Sequence, residues 1–166
     1  SERIDEVLAA PQEASGKEGK LAYEITRQMP AVRENVEATR HYLRRDLVDK
    51  ASQAATNAEQ TLIGMESRIE GHRRISQALP GLREKIETFE AQLAERKKRF
   101  IAKGEDARNR LPRCKSYVDD VEEGLSAGDV PNEGLYQARD CITRVEEEVE
   151  FADTLYFFAT RLLPAG

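Results

Sequence analysis

Residues 134–163 read GLYQARDCITRVEEEVEFADTLYFFATRLL. Within them Leu135, Ala138, Ile142, Val145, Val149, Ala152, Tyr156, Ala159 and Leu163 follow one another at alternating steps of three and four. An α-helix turns once in 3.6 residues, so that spacing returns every one of these side chains to the same face. A strand would alternate at every second residue, and no part of the chain does so. The stretch therefore predicts a long amphipathic helix over 130–163, and it sets the fold class as all-α.

Working back from this helix, Ser126-Ala127-Gly128-Asp129 reads as a turn. Gly128 suits a left-handed C-cap, Asp129 an N-cap, and Pro131 the first turn of the helix that follows. Before the turn, Ile86, Leu93, Phe100, Ala107, Cys114 and Val121 recur at steps of seven, which predicts a helix over 82–126. Gly104 and Pro112 predict a kink near 104–112. Pro80-Gly81 reads as another turn. Ahead of it, Val32, Val36, Thr39, Leu43, Leu47, Ala51, Ala55, Ala58, Leu62, Met65, Ile69, His72 and Leu79 predict a helix over 31–79. Consecutive steps of four around Leu43–Ala51 form a stutter, which locally unwinds a supercoil. Residues 1–29 add an N-terminal helical segment carrying Ile4, Val7, Leu8, Leu21, Ile25 and Met29, interrupted by Pro11 and the Ser15–Gly19 linker. The expected architecture is one domain, 1–166. It is an elongated antiparallel bundle of three long helices plus the N-terminal segment, resembling a four-helix bundle, with coiled-coil-like heptad seams.

Composition agrees with narrow apolar seams. Charged residues make up 34% of the 166 and apolar ones 39%, and Trp is absent. Residues 1–115 hold 23 Lys and Arg against 19 Asp and Glu, whereas 116–166 hold 3 against 12. A basic body and an acidic end attract each other within or between molecules. No apolar run approaches the ~20 residues that span a bilayer. The chain starts at Ser1 rather than Met, as a processed or trimmed product would.

Cys114 and Cys141 flank the Ser126–Asp129 turn at equal distances. In a tight antiparallel hairpin such residues lie at one height, so the pair is a candidate disulfide stapling helix to helix. A bridge would point to a periplasmic or secreted protein. Two cysteines do not complete a four-ligand zinc site.

Catalytic constellations are scarce. Of the two histidines, His72 falls on the apolar stripe, where a histidine is expected to be a satisfied core or boundary residue. His41 lacks the Glu-x-x-His spacing of bundle metal sites. Glu146, Glu147, Glu148 and Glu150 read as a solvated acidic face. No phosphate loop or nucleophile elbow is present. The expectation is a protein that is not an enzyme and takes no cofactor or metal.

Two stretches are candidates for binding. Arg96, Lys97, Lys98 and Arg99 form the densest basic patch, but four consecutive residues point all round a helix, which argues against nucleic acid. A second basic cluster is Arg40, Arg44 and Arg45, with His41 and Tyr42. Phe151, Leu155, Phe157, Phe158 and Leu162 lie off the seam of the last helix, which makes that segment apolar on several faces. They are the candidate surface for a protein partner or a second copy. The expected function is a helical interaction or scaffold module of the cell envelope or an extracellular surface. The alternatives are a bundle that binds a membrane surface through the C-terminal helix and the basic patch, and a helical enzyme with an interhelical site around His72.

Overall fold

A computed structural model describes residues 17–95 and 103–162. The described residues are almost entirely helical, and no strand occurs among them. Four helices follow one another: α1 (Lys17–Leu43), α2 (Val48–Glu95), α3 (Lys103–Ser126) and α4 (Asn132–Leu162). The chain is an all-α bundle, as its periodicity predicts.

Helix boundaries differ from the expectation at more than one place. The helix expected over 31–79 is broken at residues 44–47, and the turn expected at Pro80-Gly81 lies inside α2. Pro30, Pro80 and Pro112 all sit within helices on exposed positions. There the carbonyl that each proline deprives of its hydrogen bond can turn to water, so the helix continues. Packing also favours continuity. Ile75, Leu79, Leu82, Ile86, Phe89 and Leu93 are all buried and keep steps of four and three straight across Pro80-Gly81. The single helix expected over 82–126 is therefore corrected: residues 82–95 are the second half of α2, and 103–126 belong to a separate helix, α3. Residues 1–16 and 96–102, which carry the first part of the expected 1–29 helical segment and part of the expected 82–126 helix, lie outside the described residues.

The true break contains neither Gly nor Pro. Arg45 N donates to Tyr42 O, Asp46 N to Leu43 O and Leu47 N to Tyr42 O, with Asp46 at φ 54°. This is a Schellman ending, in which the left-handed residue turns its amide and the next one back onto the last carbonyls. Asp is one of the few non-glycine residues that accept that conformation. The α3–α4 turn repeats the pattern with the residue the sequence predicts. Gly128 has φ 82°, its amide bonds Leu125 O, and Asp129 N bonds Gly124 O. Pro131, rather than Asp129, caps α4, since its carbonyl accepts from Leu135 N.

The chain forms two compact units. In the first, residues up to 74 are joined by 124–130. Its core holds Leu21, Ile25 and Val32 of α1 against Ala58, Met65 and Ile69 of α2, with Met29 and Leu62 at the margin. Positions equally far from the 44–47 turn meet, as an antiparallel hairpin requires. The second unit comprises 75–123 and 131–166. Its buried residues come from the rest of α2, from α3 (Ala107, Leu111, Cys114, Val118, Val121) and from α4 (Leu135, Ala138, Cys141, Ile142, Val145, Val149, Ala152). Lys115 pairs with Glu90, and Arg83 with Asp119 and Glu122, which fixes α3 antiparallel to α2. Lys85 reaches Glu146 on α4.

Candidate interaction surfaces

The α1–α2 hairpin is closed at one end and open at the other. At the closed end the 124–130 turn sits against the start of α1, where the Gly128 Cα approaches the backbone of Lys20 and Leu21 so closely that a Cβ would stand 3.4 Å from Leu21 N. Arg68 donates to Gly128 O at 2.7 Å. His72, 3% exposed, lies 3.1 Å from Leu125 O through Nε2, so that nitrogen carries the proton and donates. Both side chains thus satisfy carbonyls at the C-terminal end of α3, where a helix leaves its last acceptors free. The His72 ring is thereby held against the end of α3.

Toward the 44–47 turn no other described helix covers the hairpin. Val36, Thr39 and Arg40 of α1 and Ala55, Ala58, Glu59, Leu62, Ile63 and Glu66 of α2 line a largely apolar groove of about 540 Å³. Val36 and Ile63 are exposed, and so are Leu43, Leu47 and Val48 at the turn itself. The sequence places Val36, Leu43, Leu47 and Ala55 on the buried stripe. They are exposed because, among the described residues, only two helices are present at this level of the unit, and two helices bury a narrower strip than three. Ala54 takes the buried position expected of Ala55. Arg40, His41, Arg44, Arg45 and Lys50 surround the turn, all exposed. The Lys50 ammonium lies 5.9 Å from the Tyr42 ring centre, and His41 meets that ring edge-on.

A second apolar surface is at the end of α4. Phe151, Leu155, Phe157 and Phe158 are exposed there, around and beyond the last buried seam residue described, Ala152. Phe157 and Phe158 stand edge to face at 6.0 Å, and the Arg161 guanidinium lies 4.4 Å from the Phe157 ring centre. The side chain of Leu162 and the whole Arg96–Arg99 patch fall outside the described residues. The four aromatic and aliphatic positions are thus together on one helix segment.

Cys114 and Cys141 lie at bonding distance, Sγ to Sγ 2.06 Å and Cα to Cα 5.4 Å. Their equal spacing from the turn brings them to one height, as the sequence implies. Further from that turn, Arg110, four residues before Cys114, grips Glu148, seven residues after Cys141, through Nε and Nη2 at 3.1 and 2.8 Å. That hydrogen bond, helped by the carboxylate's charge, holds the Arg110 guanidinium further above its ordinary range. Raised in this way, the cation contributes at every pH below the unfolded value and is lost only in strong alkali. Arg83 is raised likewise, first by its bond to Glu122. A smaller hollow of about 220 Å³ beside Leu93 and Leu111 is bordered by Arg108, which donates to Leu93 O. Among the described residues no group of three His, Cys, Asp or Glu is arranged to hold a metal ion. No described helix is long and apolar enough to cross a membrane.

The geometry defines the class, a helical bundle with exposed apolar faces on two separate segments. Comparison with known proteins finds no matching family model, no matching curated protein and no matching solved structure. The hairpin groove was missed in the sequence because its residues share the helical period of a core stripe. The signal that marks it is the stutter at Leu43–Leu47–Ala51, which is where the chain turns.

Proposed function

We propose that this chain is a non-enzymatic helical interaction module that takes a helix of another protein chain onto faces its own helices leave uncovered, and that the occupant of the α1–α2 groove is a second copy. The groove carries the reading. Its floor is apolar, and its rim holds Arg40 on one side with Glu59 and Glu66 on the other. An antiparallel pair of hairpins related by a two-fold axis offers Arg40 of each copy to the acidic rim of its mate, as an isologous interface requires. A helix laid in an apolar groove between two helices is a common mode of recognition, read as anchors at helical spacing.

Sedimentation velocity across a range of concentrations tests it. The expected result is a reversible dimer that Ile63→Glu converts to monomer, with unchanged helicity by circular dichroism. A wild-type chain that stays monomeric throughout, or an Ile63→Glu chain that still dimerises, refutes the groove as the interface. The exposed Leu155 and Phe158 favour a second reading, in which the end of α4 is the docking face. A dimer lost in Leu155→Ser/Phe158→Ser but kept in Ile63→Glu selects it. The Cys114–Cys141 pair supports a cell-envelope or extracellular setting, where disulfides persist.

A further inference from the structure

The apex of the hairpin combines two features that the groove does not explain. Leu43, Leu47 and Val48 are 55%, 41% and 64% exposed, three large aliphatic side chains within six residues. Around them stand Arg40, Arg44 and Arg45, none of which has an ion-pair partner among the described residues. The two acids of the turn itself have local duties. Asp46 supplies the left-handed residue of the turn, and Asp49 lies in the first turn of α2, where a carboxylate complements the helix dipole.

We infer that this turn docks onto an anionic lipid bilayer, with Leu43, Leu47 and Val48 entering the boundary between headgroups and acyl chains and the three arginines meeting lipid phosphates. The shape selects lipid over an acidic protein. The apex is a point formed by two helix ends and four connecting residues, and the 124–130 turn packs at the level of Leu21, about 33 Å back along α1 at 1.5 Å per residue. A projecting apolar point is covered by a rigid partner only if that partner is concave, whereas a bilayer interface deforms around it. Aliphatic anchors ringed by cations, buried a few ångströms deep, are how interfacial segments bind. The inference does not rest on the groove's occupant and shares only Arg40 with the groove's lining.

Flotation of the full chain with vesicles of phosphatidylcholine, with and without about one-third phosphatidylglycerol, tests it. The expected result is binding to the anionic vesicles only, weakened by salt. Each cation near such a surface is worth about fivefold, so Arg40→Gln/Arg44→Gln/Arg45→Gln should lose on the order of 100-fold in affinity. Leu43→Ser/Leu47→Ser/Val48→Ser should lose at least tenfold, since ~0.8 kcal/mol per buried methylene adds up quickly over three side chains. All six positions are exposed, so both variants should retain the wild-type thermal transition, and Leu155→Ser/Phe158→Ser should bind like wild type. The inference is overturned by absence of binding to either vesicle, by equal binding to neutral vesicles, or by apex variants that bind undiminished. Binding to polyglutamate without binding to vesicles overturns it in favour of an acidic protein.

Discussion

Reduction of the Cys114–Cys141 bridge should weaken the protein by about 3.5 kcal/mol. The figure follows from the closed loop. With a sequence separation of 27, the entropy withheld from the unfolded chain is about 12 cal/mol/K, which at 298 K gives ~3.5 kcal/mol. The folded state adds little to this. Both cysteines are buried on the α3–α4 seam, and a buried thiol packs as a small hydrophobe without leaving a strong hydrogen-bonding group unmet. Urea unfolding followed by circular dichroism, with and without a phosphine reductant, reads the difference. For a slope of ~2 kcal/mol/M the midpoint should fall by somewhat under 2 M on reduction. Cys114→Ala/Cys141→Ala should fall slightly further, because each substitution also removes a packed sulfur. A midpoint shift below about 0.5 M, or uptake of two equivalents of alkylating reagent by the unfolded, unreduced chain, would refute the reasoning. The second result would mean that the sulfurs are close but unbonded.

Other substitutions separate packing from propensity. Gly64 has open space around it and Gly71 does not, because a Cβ at 71 would come within 2.6 Å of Val130 Cγ1. Gly64→Ala should therefore gain ~1 kcal/mol by helix propensity, while Gly71→Ala should lose about as much through overpacking and be rescued by Val130→Ala, all read from urea midpoints. His72→Leu leaves Leu125 O with only the Gly128 amide and should cost ~1 kcal/mol, and His72→Ala about twice that as a cavity opens. Equal stability of wild type and His72→Ala by thermal unfolding would contradict the burial described. A double-mutant cycle on Arg110 and Glu148 should give a coupling of ~1 kcal/mol that shrinks in salt, and a coupling indistinguishable from zero would show that the paired geometry is not held in solution.

The helical class and the α3–α4 hairpin were legible because their signals are local. Leu135, Ala138, Ile142, Val145, Val149 and Ala152 are spaced for one face and all are buried. Gly128 sits where a left-handed residue is needed, and the two cysteines measure the same distance from it on either side. The first turn was illegible for an equally physical reason. Residues 44–47 end a helix with an Asp in place of Gly, while Pro80-Gly81, the strongest punctuation in the chain, is overridden by a seam that stays buried on both sides of it. Burial itself was half legible. Val36, Leu43 and Leu47 have the period of a core stripe, but periodicity shows which residues share a face and not whether a neighbour covers it. The aromatic positions of α4 were found because they break the seam's register, and the hairpin groove was missed because it keeps to it.

Neither unit is a contiguous length of chain. Residues 124–130 complete the first unit after the chain has laid down 75–123 in the second. Arg68 meets its acceptor 60 residues later, and His72 meets its own 53 residues later. During synthesis at ~5–20 residues per second, the hairpin therefore exists for some 3–12 s before the turn that closes its base has been made. In that interval the Lys20–Leu21 backbone and the Arg68 and His72 side chains lack the contacts that the finished fold provides from downstream. A nascent chain stalled short of residue 124 would present an open hairpin to chaperones and to its neighbours on the same message, and release from that state is timed by the arrival of one glycine.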